Sequence, residues 1–302
     1  MTSVPSRHAV GVHGPGLERR EPGRTAQRDN VVMLSYRGPL QRVGGQWVRS
    51  AGGLVTVLEP LASRWRAPWI HAGGDDAPRA PEQGYRQYSV PLAARARDAF
   101  YAQFANGALW PVLHGFDELA EVDHAPFNVY ENINRAFAEI TLEHLESDDL
   151  VWVHDYHLMR TPLLLKHTVP SLRVGWFCHV PWPEPEQFAV LPWRVELLEG
   201  VLGADVVGFH CARYVENFLR CVGRFVEAEV SFGDWTVRGS RGLTRAIVAP
   251  VGLPLARVES LADSERVHEQ VSALKRSVGG RRILLGVDRL DYTKGIEERL
   301  TA

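Results

Sequence analysis

Three short apolar runs, 150–153 (LVWV), 174–178 (VGWFC) and 205–209 (DVVGF), are spaced by stretches with helical periodicity. The intervening stretches carry Leu163, Leu164 and Leu165, then an apolar pattern around 193–202. Residues 213–225 follow with the same amphipathic spacing. Parallel strands cannot be joined by a tight turn; each crossover needs about a dozen residues, which a helix supplies. Strand–helix alternation at this spacing therefore specifies an α/β chain with a Rossmann-like, doubly wound parallel sheet.

The pattern extends in both directions. Residues 31–35 (VVMLS) form an apolar run ending at Tyr36-Arg37, a strand followed by a polar, Gly-rich loop through Gly38, Gly44 and Gly45. Leu54, Val57, Leu58 and Leu61 then mark a helix over 54–62,. From residue 127, Val129, Ile133, Ala136/Phe137 and Ile140 define one helical face, and Ser147-Asp-Asp149 ends that helix,. Residues 229–248 break the rhythm with two β-like runs around Gly239 and Gly242, a hairpin,. Four segments are expected: 1–29 a disordered extension, 30–255 a Rossmann-like lobe, 256–280 a linking helix, and 281–302 the start of a second lobe. The linking helix carries Leu261, Val267, Val271, Leu274 and Val278. After the Gly279–Gly280 break, 282–287 (RILLGV) is expected to be a buried strand, with Asp288-Arg-Leu-Asp-Tyr-Thr-Lys-Gly295 on the turn behind it,.

Composition excludes several function classes. The net charge of −2 supplies no global field for nucleic acid or an anionic membrane, so neither is an expected partner,. No stretch is long and apolar enough to span a bilayer, and 1–29 lacks the apolar core of a secretory signal,. Cys178, Cys211 and Cys221 are odd in number and lack CxxC spacing, which fits buried thiols in a reducing cytoplasm,. Homo-oligomerisation is left open.

In parallel sheets, ligands collect at the carboxyl ends of the strands. Three such ends carry concentrated polar groups: Tyr36-Arg37, His154-Asp155-Tyr156-His157 and His179; Arg289, Asp291 and Lys294 follow the expected strand at 282–287. Cations with one carboxylate suit a phosphorylated polyol, since Arg and Lys hold phosphate while Asp and His hydrogen-bond hydroxyls. The Gly52-Gly53 pair before a helix either brings backbone N–H groups to an anion or serves turn geometry. Asp155, a carboxylate just after an apolar run, has no structural excuse except helix capping. His154 falls on the opposite face by strand alternation and is expected to be a satisfied core histidine. His154, Asp155 and His157 can be read as a metal site, but they match no common zinc spacing and no fourth ligand is evident; neither a metal nor a cofactor is expected. Trp110 and Tyr101 are either core or a platform for a sugar. The Walker, nucleophile-elbow and catalytic-triad patterns are absent,.

The segments Val151-Trp-Val-His-Asp-Tyr-His-Leu158, His179-Val-Pro-Trp-Pro183, Val207-Gly-Phe-His210 and Gly286-Val-Asp-Arg-Leu-Asp-Tyr-Thr-Lys-Gly295 closely resemble trehalose-6-phosphate synthases. Residues 104–114, with Leu109-Trp110-Pro111, are similar too, and the motifs follow family order from about residue 31 onward. The resemblance implies a retaining glycosyltransferase of two Rossmann lobes (GT-B) that moves glucose from UDP-glucose, or another nucleotide-glucose, to glucose-6-phosphate. It implies that Arg37, Tyr101 and Tyr156 hold the acceptor phosphate and that Trp110 packs in the acceptor site. Gly52 and Gly53 would approach the donor diphosphate, and Asp155 and His179 would hydrogen-bond the transferred glucose. Arg289 and Lys294 would neutralise the leaving diphosphate, which preorganised cations stabilise without a metal. Retention without an evident nucleophile implies a same-face displacement, with double displacement through Asp155 as the other route.

Two departures concern the acceptor: Tyr36 stands where the family commonly has Asn, and Pro68-Trp-Ile-His-Ala-Gly-Gly74 replaces an aromatic near Ala72. Residues 213–218 and 191–194 look as much like glucosylglycerol-phosphate synthases, which use glycerol-3-phosphate. The family's second lobe also extends well beyond this chain. The expectation is therefore the acceptor lobe and lobe junction of a longer enzyme, inactive alone; a non-catalytic sugar-phosphate-binding remnant is the reading from another class.

Overall fold

The computed structural model describes residues 30–43, 46–50, 52–73, 84–252 and 255–302, so the expectation for 1–29 lies outside the described residues. One compact unit ends at Ala249, and a second spans Pro250–Ala302.

The first unit is built on a nine-stranded sheet. Its members are β1 (Val31–Ser35), β4 (Trp69–Gly73), β5 (Gln87–Pro91), β6 (Leu150–His154), β7 (Arg173–Phe177), β8 (Val206–Phe209), β9 (Glu229–Ser231), β10 (Thr236–Gly239) and β11 (Gly242–Val248). A separate antiparallel hairpin, β2 (Leu40–Val43) with β3 (Gln46–Arg49), occupies the stretch expected to be loop. The spatial order is β5-β4-β1-β6-β7-β8-β11-β10-β9. The first seven strands in that order are mutually parallel, and β10 and β9 finish the edge antiparallel. The chain therefore winds outward from β1 to β5, returns, and winds the other way from β6, as in a doubly wound Rossmann sheet. The reversal falls between β1 and β6, where Ser35 pairs with His154. At such a switch point the helices on either side diverge and leave a crevice at the carboxyl ends.

Alternation along β1 sorts the core. Met33 faces Trp69, Val55, Leu58 and Ala62 on one side, whereas Val32 and Leu34 join the larger cluster with Val151, Val153 and Trp176 on the other. Fully burying each such side chain contributes about 1.5–3 kcal/mol. The helix after the hairpin, Gly53–Trp65, buries Val55, Leu58 and Ala62, a face rotated from the one expected. The next helix, a continuous stretch over 94–113, was not foreseen, although Phe100, Phe104, Ala108 and Val112 repeat every four residues and are buried. Its middle, Asp98–Leu109, is wound with the wider i→i+5 turns of a π-helix, a form that recurs at functional sites,. The helix His124–Glu143 buries polar Asn134 and Thr141 beside Phe127, Tyr130, Ile133 and Phe137.

The second unit departs from the sequence expectations in two ways. The linking segment is two helices, Leu255–Ala262 and Glu265–Val278, because the chain breaks at Asp263-Ser264, where Ser264 Oγ donates to Leu261 O at 2.6 Å. Residues 282–287 are not a strand and not buried: Leu284 is 99% exposed and Val287 82%. A strand exists only through its ladder, and no strand pairs with this run among the described residues,. Behind it, Asp291 Oδ1 accepts from Thr293 N at 3.0 Å and Thr293 Oγ1 at 2.7 Å, and opens a short turn over Tyr292–Lys294. Gly295 closes the turn at φ 57°, a left-handed conformation that glycine adopts without steric cost, and Ile296–Thr301 continues as helix,.

Candidate active site

The carboxyl ends of β1, β6 and β7 lie side by side, and each delivers polar groups to the switch point. At the end of β1, Tyr36 is buried and Arg37 is exposed. Arg37 Nη2 donates to the hydroxyl of Tyr101, and the guanidinium sits 5.7 Å from the centre of that ring. Tyr101 is carried by the wide-turn stretch Asp98–Leu109. Tyr36, the departure from the family pattern, fills the space beneath: it stacks on Tyr101 at 5.1 Å and on His157 at 5.0 Å. Burial pushes its hydroxyl up to about 12, so it remains neutral and serves as packing,.

At the end of β6 the backbone turns sharply. Asp155 has φ 74° and ψ 167°, a region that is nearly glycine's alone and costs about 1–3 kcal/mol for other residues,. Its N–H donates to Phe177 O at 2.7 Å, and its Oδ1 accepts from the backbone N–H of His179 at 3.2 Å. Asp155 is therefore not a cap of the turn Tyr156–Leu158, since its side chain makes no capping bond there. Burial raises its carboxyl to about 6, against the pull of the Tyr156 and His179 amides and of Arg37,.

Residues of the helix His124–Glu143 hold this loop in place. Tyr130 OH donates to Tyr156 O at 2.8 Å and accepts from Met159 N at 3.0 Å. Asn134 Nδ2 donates to His157 O at 3.1 Å, while Asn134 Oδ1 accepts from Arg160 N and Thr161 N, both at 3.1 Å, and from Thr161 Oγ1 at 2.9 Å. These two residues were missed in the sequence, although a buried Asn inside an otherwise apolar helical face is a usable signal.

Tyr156 is buried, its hydroxyl donates to Asn106 Oδ1 at 3.2 Å, and its ring lies 5.9 Å from that of Trp110. Trp110 packs on His114 at 3.9 Å. His157 is buried, with its Nδ1 3.8 Å from Asp155 Oδ2, beyond hydrogen-bond reach,. Burial, then the charge of Arg37, lowers His157 to about 3; burial, then His210, does the same to His179. Both are neutral imidazoles at pH 7 and so can each give and take one hydrogen bond.

His154 is not the satisfied core histidine expected. Its Nδ1 meets His179 Nε2 at 3.1 Å, and its Nε2 is buried without a partner. Alternation does turn it away from Asp155, but β7 ends beside it and brings His179 to that face. The three cysteines are free, with Cys178 and Cys221 buried and burial raising both thiols.

The helix Gly53–Trp65 opens near the same place. Gly52 has φ 140°, which only glycine takes without strain, and a Cβ added to it would lie 4.0 Å from Arg37 Nη1,. Nothing lies within 4 Å of the equivalent position on Gly53, so the first turn of the helix is open to an approaching group. Arg37, Gly52, Gly53, Tyr101, Trp110, Asp155, Tyr156 and His179 thus gather at one corner of the first unit. Arg289 and Lys294 belong to the second unit, where Arg289 Nη2 lies 3.6 Å from Asp291 Oδ2. Among the described residues, no group of three or more His, Cys, Asp or Glu is arranged to hold a metal ion, and no helix is long and apolar enough to cross a membrane.

Residues 29–302 match the model for glycosyltransferase family 20. The chain is 39% identical over 265 residues to the trehalose-6-phosphate synthase of Mycobacterium sp. (strain JLS), covering 84% of this chain and 55% of the relative. It is 37% identical over 268 residues to that of Mycolicibacterium smegmatis, covering 85% and 53%. The chain thus spans about half the length of these relatives. Among solved structures, "Trehalose-6-phosphate from E. coli bound with UDP-2-fluoro glucose" superposes with a TM-score of 0.79 at 26% identity, covering 90% of this chain and 59% of that one. The Burkholderia xenovorans alpha,alpha-trehalose-phosphate synthase (UDP-forming) in complex with glucose-6-phosphate gives 0.78 at 26% identity, covering 89% and 60%.

Proposed function

The chain belongs to glycosyltransferase family 20, and from that premise we propose that it carries the acceptor side of a retaining transfer of glucose from UDP-glucose to glucose-6-phosphate, forming trehalose-6-phosphate. The observation that carries this reading is the corner at the switch point, where an exposed Arg37 is held against Tyr101 and a buried acid, Asp155, is held against His179. Arg37, with Tyr101 and Tyr156, binds the acceptor phosphate, because a guanidinium offers paired donors to a tetrahedral anion. Trp110 packs against the acceptor ring. Asp155 accepts hydrogen bonds from hydroxyls of the transferred glucose, and His179 completes that set. The open first turn at Gly52-Gly53 supplies backbone N–H groups and a helix dipole to the donor diphosphate. Arg289 and Lys294 neutralise the departing diphosphate, the task a resident metal performs elsewhere. Retention follows from same-face displacement, in which the leaving phosphate receives the acceptor proton. Glucose-6-phosphate is preferred over glycerol-3-phosphate as acceptor because the relatives at 37–39% identity are trehalose-6-phosphate synthases. Free thiols and small anionic substrates are consistent with a cytoplasmic setting,.

Titration calorimetry of the chain with glucose-6-phosphate tests this. Binding is expected, with Arg37→Ala weakening it by about tenfold or more, the loss of one charged hydrogen-bond pair. Unchanged affinity in Arg37→Ala would remove the acceptor assignment, and tighter binding of glycerol-3-phosphate would replace the acceptor.

A further inference from the structure

His154 and His179 share one hydrogen bond, Nδ1 to Nε2 at 3.1 Å, and their other nitrogens are in opposite situations. His154 is fully buried, and its Nε2 has no partner. His179 is half-buried at the end of β7, and its Nδ1 makes no hydrogen bond among the described residues. Two neutral imidazoles can share this contact in two ways. If His179 Nε2–H donates, a neutral His154 must carry its proton on Nε2, as a buried N–H without an acceptor. If His154 Nδ1–H donates, the buried Nε2 is only a bare lone pair. Orphaned buried N–H groups are rarer than under-used acceptors, and a neutral imidazole has one proton to place.

We infer that His154 is a positioning residue: its Nδ1–H donates to His179 Nε2, which fixes His179 as the Nδ1–H tautomer. The burial that lowers both histidines keeps them neutral, in line with this arrangement. His179 Nε2 is then occupied, and its Nδ1 carries a proton. His179 offers one N–H donor and has no lone pair left with which to take a proton. In the proposed transfer it therefore donates a hydrogen bond to a sugar oxygen and is never the base for the acceptor hydroxyl. That last step rests on the glucosyl-transfer reading; the tautomer does not.

The experiment is a long-range 1H–15N correlation spectrum of the histidine side chains in the 302-residue chain, with His179 assigned by its loss in His179→Gln. The expected result is a neutral His179 with its proton on Nδ1 from pH 6 to 8. His154→Asn, whose side-chain amide replaces the Nδ1–H donor, should keep that pattern. His154→Leu should release it, so that His179 shows mixed tautomers. An Nε2–H or doubly protonated His179 in the unmodified chain overturns the inference even if the Leu variant fails to fold. An unchanged His179 pattern in a folded His154→Leu variant overturns it as well. A fixed Nδ1–H tautomer in a chain that binds no sugar phosphate would sink the transfer reading and leave this one standing.

Discussion

Val31–Ser35 and residues 282–287 are similar runs, VVMLS and RILLGV, and each leads into a polar segment that opens with charged or aromatic groups. The first is a buried strand with neighbours on both sides, β4 and β6. The second is unpaired among the described residues and exposed, with Leu284 at 99% and Leu285 at 81%. An apolar β-rich run marks where a strand is permitted, and only paired neighbours make it one. The difference also governs what each region tolerates. Around β1 and β6 the packed sheet holds two neutral imidazoles and a strained Asp155 whose carboxyl is raised to about 6. Residues 282–287 have no surroundings that could hold such groups.

The largest expected contrast is in core truncation. Leu34→Ala, at a fully buried position, should cost about 3 kcal/mol in chemical denaturation of the first unit,. Leu284→Ala should change stability by less than about 0.5 kcal/mol. Equal effects would mean that 282–287 is packed in solution and the contrast is false. Next in size is acid sensitivity. His157 and His179 are held near 3, against an ordinary 6.5, so the unfolded chain binds more protons than the folded one between those values. Their stabilising neutral forms are fully present above pH 6.5 and lost as pH falls toward 3, by about 1.4 kcal/mol per unit for each group. Asp155 works in the opposite sense between 3.8 and about 6, but two imidazoles outweigh one carboxyl. The first unit should therefore be less stable at pH 5 than at pH 7, and a flat profile would contradict the burial of these rings.

A smaller effect isolates Asp155. Its folded-state proton is held more tightly than in the unfolded chain, so its cost grows as pH rises from 3.8 to about 6 and is complete at neutrality,. Asp155→Asn keeps an oxygen for the His179 amide and removes the buried charge. It should gain on the order of 2 kcal/mol at pH 7, with the gain shrinking as pH falls below about 6 and gone near pH 4,. A loss of stability at pH 7 would show that the carboxylate is better solvated than its burial indicates. The smallest is Gly52→Ala, which forces φ 140° on a residue with a Cβ and should cost about 1–2 kcal/mol in thermal melts,. No change there would mean that the first turn at Gly53 has relaxed to another conformation.

These contrasts also show what was legible in the sequence. β6, β7 and β8 were found to within a residue, because strands buried on both faces leave unbroken apolar runs,. β4 and β5 escaped notice: WIHAG and QYSVP mix His71, Gly73, Gln87 and Pro91 among their apolar residues, and β5 is the edge of the sheet with β4 next to it. The clustering of Arg37, Asp155 and His179 was legible because strand ends carry chemistry in this architecture. The partnership of His154 was not, since period-two alternation assigns a face and says nothing about what the neighbouring strand brings to it. What Tyr130 and Asn134 hold was likewise hidden, for the loop they bind lies beside their helix only after the sheet has assembled.

The winding order of the strands has a consequence for how this corner comes into being. Arg37 meets Tyr101 across 64 residues, and Tyr156 meets Asn106 across 50, while β4, β5 and three helices lie between β1 and β6 along the chain. Contacts so distant along the chain carry a large loop-closure cost and form late. Binding of a small anion at this corner is therefore a report on completed folding: a chain that has made its helices and local hairpins, but has not yet zipped β1 to β6, has nothing there to bind with.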